Sequence, residues 1–236
     1  MSGPRRRSVF ASRLVRSPDD GQRSILHDLR HAILNGDEPP GTLIPLDDVA
    51  KFFGVSQIPV RESLKTLIGE GLVEHQPHVG YSVTMVTSDE FRELYVVRQA
   101  LEEAALRAAV RRATLEDDAH AIEVHHSLAA AIDDNNERAY HAESRRFHMA
   151  LIRPSHMLRL MRMYESAWNM TEPARPMARV PAREHNVFHH DHERMLAAFV
   201  ARDDDALVAE SRHHFDHLET ALSAIGSDPD VFRAEA

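Results

Sequence analysis

From Gln22 the apolar residues Ile25, Leu29, Ile33 and Leu34 recur every three to four positions, which predicts one buried helical face, and Asn35-Gly36 supplies the stop. Pro39-Pro40-Gly41 turns the chain, and Thr42-Leu43-Ile44 reads as a short extended piece before Pro45. A second helix is predicted from about Leu46 to Phe53, closed by Gly54. A third follows Ser56 as its N-cap, with Val60, Leu64, Leu67 and Ile68 as the buried stripe and an end near Gly71. Leu72–His75 and Tyr81–Thr84 then alternate as strands around a turn with Pro77 and Gly80. Helix, glycine turn, amphipathic helix and hairpin together make a winged helix-turn-helix.

Beyond Thr87-Ser88-Asp89-Glu90, an N-cap followed by acids in the first turn, the 3.6-residue period runs through almost everything that remains. Helices are predicted over about 88–112, 115–134, 137–153, 156–170, 184–202 and 204–224. Asp133-Asp134-Asn135-Asn136 and Pro154-Ser155 separate neighbours, and Pro173, Pro176 and Pro181 mark a loop. The expected fold is mainly α: an N-terminal winged helix-turn-helix followed by an all-α antiparallel helical bundle. The divisions are a basic, disordered arm over 1–19, the winged unit over 20–86, the helical domain over 87–226 and a tail over 227–236.

Composition changes this picture in one respect. The net charge of −9 speaks against a nucleic-acid partner only while it is read as an average. Residues 1–86 hold ten basic and ten acidic side chains, and the rest of the chain holds 18 and 27, so the excess of acid belongs to the helical part. Arg5, Arg6, Arg7, Arg13 and Arg16 lie in a first stretch that has no acid, a basic arm able to gain from counterion release at phosphate. The absence of cysteine excludes a disulfide framework, thiolate metal sites and a cysteine nucleophile. No apolar run approaches the ~20 residues of a membrane span, and the start lacks a hydrophobic signal segment, so a cytoplasmic protein without a membrane partner is expected.

The third helix carries the chemistry of the first module. A helix in this position sets its N-terminal residues against base edges in the major groove of double-stranded DNA. Ser56, Gln57 and Arg61 are the candidates: Gln57 can pair bidentately with adenine, and Arg61, one turn along, can reach guanine or phosphate. Lys65, a further turn on, suits phosphate, and His75, His78 and Tyr81 of the wing are additional candidates, with His78 at its turn.

These segments resemble the GntR transcription regulators, and within them the FadR-like group with a C-terminal FCD ligand domain. The resemblance rests on Ile33-Leu34-Asn35-Gly36 with Pro40-Gly41, on Gly54-Val55-Ser56 with Pro59-Val60-Arg61-Glu62-Ser63-Leu64, and on Glu70-Gly71-Leu72-Val73. In the second module it rests on Leu94–Glu102, on Phe147-His148, and on His192 and His214. It implies a homodimer that reads a palindromic operator, a repressor released by a small organic acid. The family often has arginine where this chain has Gln57, and a polar or basic residue where it has Asp47, which bears on the operator sequence.

Thirteen of the seventeen histidines lie from His120 onward. His192 and His214 are 22 residues apart, which fits one inward position on each of two antiparallel helices joined by a turn near Arg202-Asp203-Asp204, and His148 lies on an earlier helix. Three imidazoles from three helices suit Zn²⁺ or a similar divalent ion. The same three match the metal ligands of FCD domains, which add an aspartate one turn before the first; here that position is Ser144. Neither Glu143, a quarter turn away, nor His141, almost two turns off, is an obvious substitute. A metal-free polar pocket and a purely structural role remain the other readings of the trio. Arg98 matches the family's inward arginine, placed to hold an effector carboxylate; its alternative is a partner for Glu102, one turn on. From a different class, His148, His192 and His214 can also be read as the centre of a metal-dependent hydrolase or other metalloenzyme, with the winged domain as a partner module. Against that reading the chain has no His-Glu-x-x-His motif.

Overall fold

The computed structural model describes residues 10–14, 22–35, 38–223 and 231–234. They fall into two units, one of residues 1–87, 169–174 and 229–236, the other of residues 88–168 and 175–228. Among the described residues no helix is long and apolar enough to cross a membrane.

In the first unit α1 spans Phe10–Arg13, α2 Gln22–Leu34, α3 Leu46–Phe53 and α4 Gln57–Gly69, with strands β1 Leu43–Ile44, β2 Val73–Gln76 and β3 Gly80–Val83. The sheet is antiparallel in the order β1-β3-β2, with Ile44 opposite Tyr81 and His75 also opposite Tyr81. The extended piece before Pro45 is thus the third strand, and Leu72–His75 and Tyr81–Thr84 form the wing as expected, each within a residue. Its turn carries two left-handed residues, His78 at φ 65° and Gly80 at φ 116°. Gly54 closes α3 at φ 69°, returning its N–H to the carbonyls of Ala50 and Lys51, a geometry that disfavours any side chain. Val49, Val60, Leu64, Leu67, Leu72 and Val83 form the core.

Two expectations need correction. The stripe of α4 runs through Val60, Ser63, Leu64 and Leu67, while Ile68 stays 38% exposed. Ser63 is admitted because its hydroxyl bonds back to the carbonyl of Pro59 at 2.9 Å, so its polarity is satisfied within the helix. In the stretch expected to be a disordered arm, the described residues Phe10, at the start of α1, and Leu14, just after it, are buried in the core. Arg5, Arg6, Arg7 and Arg16, and the side chain of Arg13, lie outside the described residues. In the terminal tail Val231 and Phe232 are buried, and the Arg233 N–H donates to the carbonyl of Val86 at 2.9 Å.

The second unit is helical: α5 Ser88–Val110, α6 Leu115–Asp133, α7 Glu137–Ile152, the first part of α8 (Leu158–Thr171), α9 Ala182–Val200 and α10 Asp204–Ser223. Short 3₁₀ turns occupy Arg153–Ser155 and Pro176–Ala178, where proline forbids a continued helix. Capping sets the starts. Thr114 and Asp117 exchange bonds as a capping box at α6, and the Asn136 side chain accepts from the N–H of Ala139 at α7. The α9–α10 connection turns at left-handed Arg202, which Asp118 pins at 2.7 Å. α9 and α10 pack along each other and α10 packs on α5, around Leu106, Phe147, Leu151, Tyr164, Met195 and Phe199. Each such side chain, fully buried, contributes roughly 1.5–3 kcal/mol.

Candidate functional site

The bundle brings three inward positions to one point. His148 of α7, His192 of α9 and His214 of α10 are buried, and each offers a ring nitrogen within 4.8 Å of the others. The Nε2 atoms of His148 and His192 are 3.3 Å apart, and the His192 and His214 ring centroids 4.5 Å apart.

Two carboxylates orient the rings. Both oxygens of Glu102 accept from His148 Nδ1 at 3.0 Å, and Asp191 Oδ2 accepts from His214 Nδ1 at 3.3 Å. An ionised carboxylate only accepts, so each Nδ1 bears the proton and each Nε2 turns its lone pair inward. Across the 3.3 Å to His148, the neutral His192 ring can donate its Nε2–H to the Nε2 lone pair of His148. A divalent cation is what such a donor set fits, since paired imidazoles backed by carboxylates are the usual support of a metal ligand. His192 Nδ1 is buried without a hydrogen-bond partner.

Glu102 also accepts a short bond from the Tyr164 hydroxyl and one of 3.2 Å from Ser211 Oγ. Burial pushes its carboxyl up, but His148, Tyr164 and the charge of Arg98 together hold it below the ordinary value. Asp191 behaves likewise: burial opposes ionisation, yet bonds from His214 and His217, the latter at 2.8 Å, lower it to about 2. Burial lowers His214 to about 4 and holds His192 well below the ordinary imidazole range.

These directions fix a pH dependence for the metal-free protein. The unfolded chain binds protons at these histidines near pH 6.5, whereas folded His214 does so only near 4 and folded His192 is likewise held down by burial, so stability falls as the pH drops from about 6.5 toward 4. His214 alone contributes roughly 3 kcal/mol over that window. Asp191 has the same sign at lower pH, its contribution being lost between 3.8 and about 2. Melting temperatures of chelator-treated protein at pH 7, 6, 5 and 4 check this; a flat profile from pH 7 to 5 would contradict it.

Beside the trio lies a cavity lined by Arg98, Tyr140, His141, Ser144, Trp168 and Met177, together with His148 and His214. At about 20 Å³ it has room for roughly one water. Ser144 therefore faces the space in front of His148. Glu143 turns away to Arg146 at 2.8 Å, whereas His141, one turn before Ser144, lines the cavity. Arg98 is buried, its guanidinium 3.5 Å from the Trp168 ring centroid, so it both faces the cavity and acts electrostatically on Glu102. His185 is buried: its Nε2 donates to Met177 O at 2.8 Å and its ring stacks on Tyr140 at 4.3 Å. Asp191 and Tyr164 are not apparent from the sequence as members of the site; only the adjacency of Asp191 to His192 hints at one.

In the first unit Ser56 caps α4 without using its side chain, and Ser56, Gln57, Arg61 and Lys65 are all exposed along one edge. Gln57 Nε2 donates a short bond to Asp47, Arg61 donates to Gln57 Oε1 at 3.3 Å, and Lys65 pairs with Glu62 at 2.8 Å. His78 is exposed at the tip of the wing.

Residues 22–83 match the model of bacterial regulatory proteins of the gntR family, and residues 93–217 that of the FCD domain. The chain belongs to the GntR family. It is a DNA-binding transcriptional regulator with an FCD domain, as the resemblance implies. The regulator is 27% identical to the HTH-type transcriptional regulator BphR of Paraburkholderia xenovorans over 84% of this chain and 82% of the relative. It is 24% identical to the HTH-type transcriptional repressor RspR of Escherichia coli, over 86% and 87% respectively. The structure of E. coli McbR shares the fold, with a TM-score of 0.77 at 23% identity over 86% of this chain and 97% of that one. Family and relatives are transcriptional regulators rather than enzymes, which does not favour the hydrolase reading of His148, His192 and His214.

Proposed function

We propose that this regulator is a metal-dependent repressor that leaves its operator when a small organic anion binds beside His148, His192 and His214. The observation that supports it most directly is the set of three inward imidazoles, two held in the metal-binding tautomer by Glu102 and Asp191. Zn²⁺ suits three nitrogen donors, and Ser144, where an aspartate would supply a fourth, leaves a position to water or to the effector's own carboxylate. Arg98 in the wall of the same cavity supplies a cation for that carboxylate.

A cavity of about 20 Å³ cannot hold a metabolite. The effector therefore binds a conformation in which Trp168 or Met177 has moved, and its preference for that state is what shifts the population. A homodimer reading two half-sites turns such a shift into altered half-site spacing.

On the DNA, Ser56, Gln57 and Arg61 read base edges, and Lys65 and His78 meet phosphate. The bonds among Asp47, Gln57 and Arg61 hold the reading residues in place before contact, and Gln57 exchanges Asp47 for a base on binding. Arg61→Ala is expected to weaken binding to DNA from the regulator's own promoter region by about 1–3 kcal/mol, or roughly 5- to 150-fold. Fluorescence anisotropy at fixed salt measures this, and unchanged affinity would remove Arg61 from the interface. A thermal-shift screen of carboxylic acids with and without Zn²⁺ tests the effector class.

A further inference from the structure

We propose that Ile58, the second residue of α4, is a specificity-determining residue that packs on the 5-methyl group of thymine in the major groove and so selects thymine over cytosine at one position of each half-site. The inference rests on the reading of α4 as the helix that enters the groove, and it adds an apolar contact to the polar ones assigned to Gln57 and Arg61.

Ile58 is 73% exposed, a costly state for a side chain that gains by leaving water. At about 100° per residue, the buried Val60, Ser63, Leu64 and Leu67 lie about 120–180° round α4 from it, so Ile58 stands opposite the core. Arg61 and Lys65 fall within about 60° of it and Gln57 about 100° away, and all three are exposed. The first turn is the part of such a helix that meets base edges, and within it Ile58 points most directly away from the core.

The chemistry of the side chain narrows what it can meet there. With no donor and no acceptor, it can neither bond a phosphate nor pair with a polar base edge. What the major groove offers an apolar group is the C5-methyl of thymine, which adenine, guanine and cytosine lack. Over a cytosine the same side chain would cover the N4 amino group and leave its hydrogens without water or partner, which adds a penalty to the missing methyl.

The neighbours of Ile58 make their own bonds in the free protein: Gln57 with Asp47, Arg61 with Gln57, and Lys65 with Glu62. Each must loosen a partner to reach DNA, whereas Ile58 gives up only water. Its gain is that of removing apolar surface from water, about 0.8 kcal/mol for one methyl, or roughly 4-fold in affinity for each half-site.

Exchanging thymine for uracil deletes the methyl and keeps the hydrogen-bonding edge, so it isolates this contact. DNA from the regulator's own promoter region, amplified with either dTTP or dUTP, is titrated at fixed salt with wild type, Ile58→Ala and Arg61→Ala, and binding is followed by fluorescence anisotropy. Because Ile58 stands opposite the core, its truncation spares the fold, which a melting curve checks. The wild type is expected to bind the uracil DNA roughly 4-fold more weakly for each half-site, Arg61→Ala to keep that preference, and Ile58→Ala to lose it. Equal affinity of the wild type for the two DNAs, or a thymine preference as large in Ile58→Ala as in the wild type, overturns the assignment. Arg61→Ala tells the two failures apart. If it weakens binding while uracil changes nothing, α4 still reads the DNA and Ile58 takes no part; if neither change has an effect, α4 is not the reading helix and both readings fall.

Discussion

Chelator-stripped regulator titrated with Zn²⁺ is expected to take up about one ion per chain and, at a free metal concentration of about 1,000 Kd, to melt roughly 8–16 °C higher. The size follows from mass action: a ligand bound only by the folded chain at that saturation adds about 4 kcal/mol, and each kcal/mol raises the melting temperature of a chain this long by about 2–4 °C. Glu102 and Asp191 oblige His148 and His214 to present unprotonated Nε2 atoms to one point, where Nε2 of His192 lies only 3.3 Å from that of His148. His192 can donate its Nε2–H to His148 across that distance, a bond an ion would replace, and burial disfavours the charged forms of His192 and His214, so the nitrogens are not blocked by a second proton at neutral pH. His148→Ala combined with His192→Ala leaves a single imidazole and should lose both uptake and the rise in melting temperature. Uptake that persists in the double variant would place the metal elsewhere. No uptake by the wild type would leave the trio as a metal-free polar pocket.

The sequence and the structure agree most closely where a pattern is local. Helix starts and stops are written in residues such as Ser56, Gly54, Thr114 and Asn136, whose effect depends on the next three or four positions only. The pairing of His192 and His214 was legible for a related reason: 22 residues take the chain from an inward position to the end of one helix, through a tight turn and about as far along the next, a relation that helical geometry alone supplies. Glu102 and Asp191 were not legible in their actual roles. Glu102 is one turn from Arg98, which drew attention to that pair, but its bonding partners are His148, Tyr164 and Ser211, from 46 to 109 residues away. The stacking of His185 on Tyr140 likewise joins two helices and is not written in any local pattern. Ile68 was misplaced by a rule that counts apolar residues without asking which polar ones can satisfy themselves, as Ser63 does.

Glu102 also provides the substitution that separates folding from metal binding. Glu102→Ala is expected to destabilise the regulator by about 3–5 kcal/mol, because it leaves the donors of His148, Tyr164 and Ser211 unmatched in the interior and removes the counter-charge of buried Arg98. Glu102→Gln keeps the volume and one acceptor oxygen, so the fold should suffer less. Its effect on the metal should nonetheless be large. A carboxylate demands a proton on His148 Nδ1, whereas an amide can present its NH₂ there, which moves the proton to Nε2 and points it at the place the ion would occupy. Without the carboxylate the ring is also a weaker base, and losing such a support costs metal affinity about 10- to 100-fold. Denaturant melts of the metal-free proteins and Zn²⁺ titration against a competing chelator therefore give different rankings. Alanine is the worst for folding, and glutamine is already poor for metal. A glutamine variant that binds Zn²⁺ as tightly as the wild type would mean that Glu102 serves the fold alone and that His148 is oriented by its packing against Phe147 and Trp168.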